Sequence, residues 1–249
     1  MKGGRGRHTQ RAAAGLFCLF LDVDGTLLDI APTPEAVRVD PALVNLLRQL
    51  DRAFDGALAL ISGRSIVDID QLFAPLLLSV AGVHGCERRD ASGHWYRPSL
   101  AGTLEFIRAD LREFLTQFHG ALLEDKGYGL AVHFRQAPHH EEKLRLKLCA
   151  YLARAREYEL LEGDHVIEIK PIAYNKGTAI EAFMQTTPFV GRCPIYIGND
   201  TTDLDGFAAV RRFNGQAISV GDRVNADLRL ADSTAVHKWL ETLLLEPTR

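Results

Sequence analysis

Two aspartates two residues apart, Asp22 and Asp24, directly follow an apolar run in the segment LFLDVDGTLL. Two carboxylates so placed can divide the work of hydrolysis: one attacks phosphorus to form an aspartyl phosphate, and the other protonates the leaving oxygen and then activates water. The following Gly25 permits a turn that leaves one carboxylate forward and swings the other back. A strand that ends in an ordinary Asp-Gly turn is the alternative, and the pair alone does not decide between the two.

Three further polar segments, SGR, NKGT and GNDTTD, supply parts that phosphoryl transfer requires. Lys176 is a fixed cation at a helix start, and Ser62 together with the backbone amides near it and near Thr26 can donate hydrogen bonds to phosphoryl oxygens. Asp22 and the GNDTTD segment offer hard oxygen ligands that suit Mg²⁺. Taken singly, Lys176 is equally well a solvated lysine and Ser62 a helix cap. Their joint occurrence predicts phosphoryl transfer.

The surrounding pattern predicts how these segments are positioned. Apolar strands over residues 16–21, 57–61 and 76–81 alternate with helices over 41–50 and 65–73. The same rhythm resumes at Asn175 with a helix to Met184, the strand CPIYIG, a helix near 202–211, the strand QAISVG and a helix near 233–244. This order indicates a parallel α/β sheet with right-handed crossovers. Since ligands bind at the carboxyl ends of such strands, the four polar segments are expected to meet there.

Between the two parts the pattern changes. Residues 129–134 and 166–169 alternate apolar and polar side chains, as antiparallel strands with one solvated face do. Residues 99–171 are therefore predicted to form an inserted α+β subdomain. Residues 15–98 and 172–249 then form the core, after a flexible N-terminus over residues 1–14.

Composition narrows the classes of function. A chain of 249 residues with 47% hydrophobic and 24% charged residues is typical of a globular protein, and a net charge of −3 does not favour nucleic acid as a partner. The four cysteines form no CxxC pair, which fits reduced thiols in the cytoplasm. The basic start followed by an apolar run resembles a signal peptide, but the run passes directly into DVDGT, as a strand would. No other run approaches the length of a membrane span.

The four motifs, in their order and strand contexts, resemble those of the haloacid dehalogenase-like (HAD) phosphatases. Within that superfamily the chain resembles the trehalose-6-phosphate phosphatases over nearly its whole length. The segments that carry this resemblance are FLDVDGTL, LISGR, VAGVHGCERR, LEDKGYGLAVHFR, VIEIKP, NKGTAIEAF and YIGNDTTDLDGF. The resemblance implies a HAD-like Rossmannoid core with a parallel sheet and an inserted α+β cap that sets substrate specificity.

The resemblance also implies roles for individual residues. Asp22 is expected to be the nucleophile and Asp24 the acid and base, while Ser62 and Lys176 hold the phosphoryl group. Mg²⁺ is expected to be held by the Asp22 carboxylate, the Asp24 carbonyl and the first acid of the last motif. The mobile cap is expected to close over the sugar and exclude water. The expected substrate-binding residues are Thr26, Gly63, Arg64, Glu124, Lys126, Arg135 and Glu168.

Some of these assignments stay open on the residues alone. Arg64 either reaches the phosphate or pairs with a nearby acid, and His133 faces either side of its strand. The cap residues have an independent physical case, because carboxylates accept hydrogen bonds from sugar hydroxyls and Lys or Arg donate them. A solvated face of the cap sheet is the alternative.

The last motif departs from the family pattern. Where the family usually has GDD followed by TDE, this chain has Gly198-Asn199-Asp200 and then Thr202-Asp203-Leu204. Asn199 thus takes the place of the direct metal-binding aspartate, so the site loses one anion and a lower Mg²⁺ affinity is expected. Asp200 is the substitute ligand, or Asp203 acts through a water or orients Lys176.

The leading interpretation is a Mg²⁺-dependent phosphatase of trehalose biosynthesis, which hydrolyses trehalose 6-phosphate to trehalose and phosphate. The expected partner is therefore a small sugar phosphate, with no nucleic acid and no membrane. A phosphatase for another sugar phosphate is the alternative within the enzymes. A weakly active sugar-phosphate-binding protein is an alternative that Asn199 keeps open. A phospho-accepting receiver domain would need neither Asp24 nor a cap.

Overall fold

A computed structural model describes residues 16–30, 37–98, 103–163 and 165–244. The chain divides into two compact units. The first unit comprises Met1–Tyr96 and Asn175–Arg249, and the second comprises Arg97–Tyr174. The sequence places its insertion at 99–171, and the roles assigned to the two parts remain predictions. The predicted flexible N-terminus lies outside the described residues.

The described residues form twelve strands and seven α-helices. In chain order the strands are β1 Phe17–Asp22, β2 Leu58–Ile61, β3 Ser79–Gly82, β4 Glu87–Arg89, β5 Trp95–Tyr96, β6 Leu122–Asp125, β7 Leu130–His133, β8 Tyr158–Gly163, β9 Val166–Pro171, β10 Cys193–Gly198, β11 Gln216–Val220 and β12 Leu228–Leu230. The helices are α1 Pro41–Ala53, α2 Ile66–Leu72, α3 Thr103–Leu115, α4 Glu141–Leu152, α5 Lys176–Met184, α6 Leu204–Arg212 and α7 Ser233–Thr242.

The first unit is built on an eight-stranded sheet in the order β12-β11-β10-β1-β2-β3-β4-β5. The strands from β12 to β3 run parallel, and β4 and β5 add an antiparallel edge. The chain proceeds from β1 to one side through β2 and β3, and later to the other side through β10 and β11. The strand order therefore reverses next to β1, which is where an open α/β sheet opens a crevice for ligands.

The centre of this sheet is apolar on both faces. Every residue from Cys18 to Asp22 is buried, and the ring of Phe20 lies 5.3 Å from that of Phe189 and 5.9 Å from that of Phe183. The helices around the sheet begin at side chains that cap them, such as Asp40, which accepts a hydrogen bond from the backbone of Ala42. Since β1 is covered on both faces, its polar residues can reach solvent or ligand only at its end.

The second unit contains a four-stranded antiparallel sheet in the order β6-β7-β9-β8. Helices α3 and α4 supply Leu111 and Leu148 to an apolar cluster that also contains Leu130 and Val132 of β7. Because side chains alternate along a strand, Ala131 and His133 project from the opposite face of β7. That face of the second sheet is the one available for polar residues.

The predicted α/β core with a parallel sheet is confirmed. The sequence interpretation did not include β4, β5, β8 and β12; three of them are only two or three residues long, and β8 reads YELLEG, without strict alternation of apolar and polar residues. The predicted helix near Thr202 begins instead as a 3-10 turn, Thr201–Asp203, before α6. Among the described residues, no helix is both long and apolar enough to cross a membrane.

Candidate active site

Three polar segments meet at one edge of the large sheet because of the strand register. Leu21 of β1 pairs with Leu60 of β2 and Ile197 of β10. Asp22 is thus level with the end of β2, one residue before Ser62, and Asn199 directly follows β10. The sequence prediction that these motifs share the carboxyl ends of neighbouring strands agrees with this register.

The turn after β1 is shaped by Gly25 and Thr26. Gly25 has a φ of 80°, and a Cβ atom added to it would lie 2.1 Å from the outer atom of the Asn199 side-chain amide. Glycine is therefore required here both for the backbone conformation and for the close approach of the Asn199 side chain. The hydroxyl of Thr26 donates a 2.8 Å hydrogen bond to Oδ2 of Asp22, which fixes the orientation of that carboxylate.

A buried cluster of charges lies behind Asp22. Lys176, the first residue of α5, donates from Nζ to Oδ1 of Asp22 at 2.7 Å and to Oδ1 of Asp203 at 2.6 Å. Asp203 is fully buried, accepts a hydrogen bond from the hydroxyl of Tyr196, and accepts two more at Oδ2 from the backbone amides of Asn199 and Asp200. One carboxylate thus fixes both the lysine and the loop that follows β10.

The electrostatics of this cluster follow from burial and from its two neighbouring acids. Burial and the charge of Asp203 raise the pKa of Asp22 to about 7, against the lowering effect of Lys176 and Thr26. Burial disfavours the charged form of Lys176, but Asp203 and Asp22 outweigh it and raise its pKa above the ordinary value. The lysine is therefore a permanent cation. A further cation beside Asp22 would favour the ionised carboxylate that nucleophilic attack needs.

The side-chain amide of Asn199 points into the same turn. Its inner atom lies 3.0 Å from Oδ2 of Asp22, 3.0 Å from the carbonyl oxygen of Asp24 and 3.3 Å from the hydroxyl oxygen of Thr26. In an octahedral Mg²⁺ shell with bonds of about 2.1 Å, neighbouring ligand oxygens are roughly 3.0 Å apart. The distances from the Asn199 amide to the carboxylate and to the carbonyl match this spacing, and the donor set of carboxylate, carbonyl and amide oxygen suits Mg²⁺.

Asp200, the other expected metal ligand, has different contacts. Its Oδ1 accepts a hydrogen bond from the backbone of Thr201, and its Oδ2 pairs with Arg223 at 3.0 Å. No group of three His, Cys, Asp or Glu side chains suited to a metal occurs in the described parts of the chain. A cation site here would therefore depend on the neutral oxygens of Asp24 and Asn199.

Asp24 is held by Arg64. The guanidinium donates from Nε and from an Nη atom to the two carboxylate oxygens, each at 2.7 Å. The sequence left two alternatives for Arg64, contact with the phosphate or pairing with a nearby acid. The described contacts include the second, with Asp24 as the acid. The Asp24 carboxylate remains 37% exposed, whereas that of Asp22 is 5% exposed, so the two acids have different surroundings as their separate roles require.

The Ser62 loop is held by backbone hydrogen bonds from Val83 and His84, two residues to which the sequence interpretation gave no role. Val83 and His84 donate backbone hydrogen bonds of 2.9 Å to the carbonyl oxygens of Arg64 and Ser62. Both have positive φ angles, 48° and 55°, and for a β-branched residue such as Val83 this is a strained conformation. A Cβ atom at Gly63 would lie 2.7 Å from the His84 ring, so the ring packs against this loop.

A pair of glycines, Gly82 and Gly85, flanks this strained turn and is the signal in the sequence that marks it. Glu87 adds a third tie, because its Oε1 accepts a 2.7 Å hydrogen bond from the backbone amide of Ile66 at the start of α2. The loop expected to hold a phosphoryl group is therefore positioned from the neighbouring strand β3 and the residues after it.

The second unit carries its own set of paired charges. Glu124 forms a 2.7 Å hydrogen bond with Nε2 of His133, and Lys126 donates to Glu168 at 2.8 Å. Burial opposes ionisation of Glu124, but His133 and Lys126 outweigh it and lower its pKa. Lys170 of β9 pairs with Glu159 at 2.5 Å on the neighbouring strand.

The strand register aligns two of these acids. Ala131 of β7 pairs with Glu124 of β6 on one side and with Glu168 of β9 on the other. Alternation along the strands therefore puts both glutamates on the side of Ala131, on the face opposite the apolar cluster. Arg135 is exposed and follows the end of β7. Of the expected sugar-binding residues, Glu124 and Glu168 therefore share one sheet, Lys126 directly follows β6, and Arg135 lies in the loop after β7.

Comparisons with known proteins give a consistent result. A family model described as "Trehalose-phosphatase" matches residues 20–233. The chain is 42% identical to the trehalose-6-phosphate phosphatase of Escherichia coli K12 over 229 residues, which cover 91% of this chain and 86% of that protein. It is also 42% identical over 211 residues to a probable trehalose-phosphate phosphatase of Sinorhizobium fredii, with coverage of 84% and 80%.

Two solved structures have folds similar to that of this chain. The crystal structure of a protein described as related to trehalose-6-phosphate phosphatase superposes with a TM-score of 0.77 at 27% identity, covering 91% of this chain and 96% of that one. The C-terminal domain of the Candida albicans trehalose-6-phosphate phosphatase gives a TM-score of 0.80 at 21% identity, with coverage of 94% and 93%.

Proposed function

This chain belongs to the trehalose-phosphatase family of HAD-like enzymes, and from that premise we propose that it hydrolyses trehalose 6-phosphate with Asp22 as the nucleophile. The observation that carries the proposal is the buried contact of Lys176 with both Asp22 and Asp203. A permanent cation fixed beside a carboxylate at a strand end suits the approach of a phosphate dianion, which an isolated carboxylate would repel.

In the first step, Oδ2 or Oδ1 of Asp22 attacks phosphorus and the bond from phosphorus to the sugar oxygen breaks. The proton that the leaving sugar oxygen needs comes from the partly exposed carboxyl group of Asp24; in its protonated form Asp24 gives up one of the two hydrogen bonds that it accepts from Arg64 and turns that oxygen to the substrate. The products of this step are free trehalose and an aspartyl phosphate on Asp22.

In the second step, Asp24, now ionised, takes a proton from a water molecule that attacks the aspartyl phosphate. Phosphate leaves and Asp22 is regenerated. The charge on the phosphoryl oxygens is stabilised by Ser62, Lys176 and the backbone amides near Gly63. The turn at Val83 and His84 keeps the Ser62 loop in place.

The residues expected to hold Mg²⁺ are Asp22 through its carboxylate, Asp24 through its carbonyl and Asn199 through its amide oxygen. When bound there, Mg²⁺ would supply positive charge that offsets the repulsion between the phosphate and Asp22. Asp203 acts in this scheme by positioning Lys176 and the Asn199 backbone.

The second unit is proposed to recognise the sugar. Its carboxylates Glu124 and Glu168 are held by His133 and Lys126, flank the small side chain of Ala131, and can accept hydrogen bonds from sugar hydroxyls. We assign Arg135 a donor role in the same recognition.

A substrate panel tests this proposal. Released phosphate is measured with trehalose 6-phosphate, glucose 6-phosphate, sucrose 6-phosphate and an aryl phosphate. We expect kcat/KM for trehalose 6-phosphate to exceed those for the other sugar phosphates by at least about 100-fold, because a site that hydrogen-bonds one sugar leaves polar groups unpaired with another. Comparable turnover of the whole panel would remove the substrate assignment and leave a general sugar phosphatase.

A further inference from the structure

The side-chain amide of Asn199 can face the turn after β1 in two orientations. With its nitrogen inward, it can donate hydrogen bonds to Oδ2 of Asp22 and the carbonyl of Asp24, each at 3.0 Å. With its oxygen inward, that oxygen lies 3.0 Å from each of these two acceptor oxygens, and within the described parts of the chain its one side-chain donor is the hydroxyl of Thr26, at 3.3 Å. The second arrangement is favourable when a cation lies among the oxygens, and the first when none does.

The backbone around Asn199 does not need to move between these arrangements. The backbone N–H of Asn199 donates a 2.8 Å hydrogen bond to Asp203. Asn199 is 8% exposed, and its side chain packs against Gly25. The terminal torsion of an asparagine side chain is broad and nearly two-fold, so a half-turn exchanges oxygen for nitrogen in almost the same volume. Gly25, which has no Cβ, leaves that volume free.

The charge of the site explains what the asparagine achieves. Asp22 and Asp203 share the single cation Lys176, so the cluster already holds one acid more than it has bases. An aspartate at position 199 would place a further carboxylate about 3 Å from Asp22, where two like charges strongly oppose joint ionisation. An amide avoids this repulsion and can donate in its place.

We propose that Asn199 is a reversible ligand: its amide nitrogen stabilises the Asp22–Asp24 turn when the site holds no cation, and its oxygen joins the ligands when Mg²⁺ binds. This rests on the cation site of the proposed function, but the role of the nitrogen does not require catalysis. The chain thereby retains a stable turn without metal at the cost of a lower Mg²⁺ affinity.

Thermal unfolding with and without Mg²⁺ tests the proposal through Asn199→Asp. In EDTA we expect this variant to melt about 3–8 °C below the wild type, because it loses the donor and adds a carboxylate. Saturating Mg²⁺ should raise its melting temperature more than that of the wild type and close most of the gap. Calorimetric titration should show Mg²⁺ binding to the variant at least about tenfold more tightly, as expected for one more anionic ligand.

Asn175→Asp is the matched control, because it makes the same charge change in the same unit. Asn175 caps α5 through its side-chain oxygen, which accepts a 2.8 Å hydrogen bond from the backbone of Thr178, and aspartate caps equally well. Its melting temperature in EDTA should equal that of the wild type. If Asn199→Asp matches this control or exceeds the wild type in EDTA, the proposal is overturned.

Hydrogen exchange measured by nuclear magnetic resonance tests the proposal on the wild type alone, so the result does not depend on whether a variant folds. The side-chain amide protons of Asn199, assigned through their own backbone resonances, should exchange with water slowly in EDTA. Saturation with Mg²⁺ should speed their exchange by about tenfold or more as the nitrogen turns outward. Exchange that is unchanged while calorimetry shows bound Mg²⁺ would overturn the proposal.

The outcomes separate this inference from the proposed function. If neither the wild type nor Asn199→Asp binds Mg²⁺, the cation site and the reversible ligand are both overturned. If both bind Mg²⁺ and exchange responds as expected but trehalose 6-phosphate is not turned over, only the proposed function is overturned.

Discussion

The two units of this chain hold their charges in different ways. In the first unit the side chains of Lys176, Asp22 and Asp203 are 4%, 5% and 0% exposed, and they form one connected cluster. In the second unit the charges form separate pairs: the side chains of Glu124 and His133 are each 30% exposed, and those of Lys126 and Glu168 are 10% and 6% exposed. The buried cluster is suited to a fixed chemical step, whereas the half-buried pair of Glu124 and His133 can exchange its contacts for those of a ligand.

Sheet architecture accounts for the difference. A parallel sheet covered on both faces admits polar residues only at the ends of strands, where Asp22 and Asn199 lie. An antiparallel sheet covered on one face presents every second residue on the other, which is how Glu124 and Glu168 are aligned across β7. We expect chemistry to depend on the first arrangement and substrate preference on the second.

Replacement of the nucleophile should have the largest effect. Asp22→Asn removes the attacking oxygen and keeps the shape, so we expect kcat/KM to fall by at least about 10⁴-fold for every substrate, with an unchanged circular dichroism spectrum. Asp205→Asn, an exposed acid on α6, is the control and should remain within about twofold of the wild type. Activity of Asp22→Asn within a few-fold of the wild type would contradict the mechanism.

Replacement of the acid and base should be the next largest effect. Asp24→Asn should lower kcat for trehalose 6-phosphate by roughly 10²–10⁴-fold, because both proton transfers lose their catalyst. An aryl phosphate with a good leaving group should lose less in the first step, since its oxygen needs no proton to depart. Equal losses of the bond-breaking rate for both substrates in single-turnover assays would remove Asp24 from the role of acid.

Breaking the buried cluster should destabilise the fold itself. Asp203→Asn replaces an acceptor oxygen by an NH2 group among buried donors, and we expect a loss of about 3 kcal/mol in the free energy of unfolding, measured with urea, because hydrogen bonds from Lys176, Tyr196 or the backbone amides after β10 lose their acceptor. Glu162→Gln in the second unit breaks the half-exposed contact with Arg145 and should cost less than about 1 kcal/mol. Similar losses for the two variants would remove the contrast between the units.

Changes on the second sheet should have the smallest and most selective effects. Glu124→Ala or Arg135→Ala should raise KM for trehalose 6-phosphate by about 10–100-fold, as expected for a lost hydrogen bond to a charged group. Turnover of an aryl phosphate should stay within about twofold, because it makes no use of sugar contacts. Glu162→Ala on the edge strand β8 is the control for both substrates. Equal impairment of the two substrates would refute the assignment of sugar recognition to this sheet.

Local patterns in the sequence were sufficient to predict the central strands of the large sheet and the edge at which its motifs meet. The run LFCLFL predicted a strand buried on both faces, and β1 is that strand. The four polar segments follow strands or begin helices, so topology alone brings Asp22 and Asn199 to one edge. The short strands β4 and β5 were missed because they depend on pairing with β3 rather than on their own residue pattern.

The contacts within the site could not be predicted because they join residues far apart in the chain. Asp203 was left with several possible roles, and its contacts with Lys176 and with the backbone of Asn199 depend on how α5 and the loop after β10 pack. The positive φ angles of Val83 and His84 are likewise imposed by the hydrogen bonds to the Ser62 loop and not by their own preferences.

A rapid-mixing assay of Asp24→Asn with an aryl phosphate tests the central claim most directly. Attack by Asp22 on a good leaving group needs no acid, whereas hydrolysis of the aspartyl phosphate needs the missing base, so the intermediate should accumulate. We expect a burst of about one leaving group per enzyme chain, with the mass of one phosphoryl group added to the peptide that contains Asp22. Linear product release without a burst, or a phosphoryl group on another residue, would contradict the account.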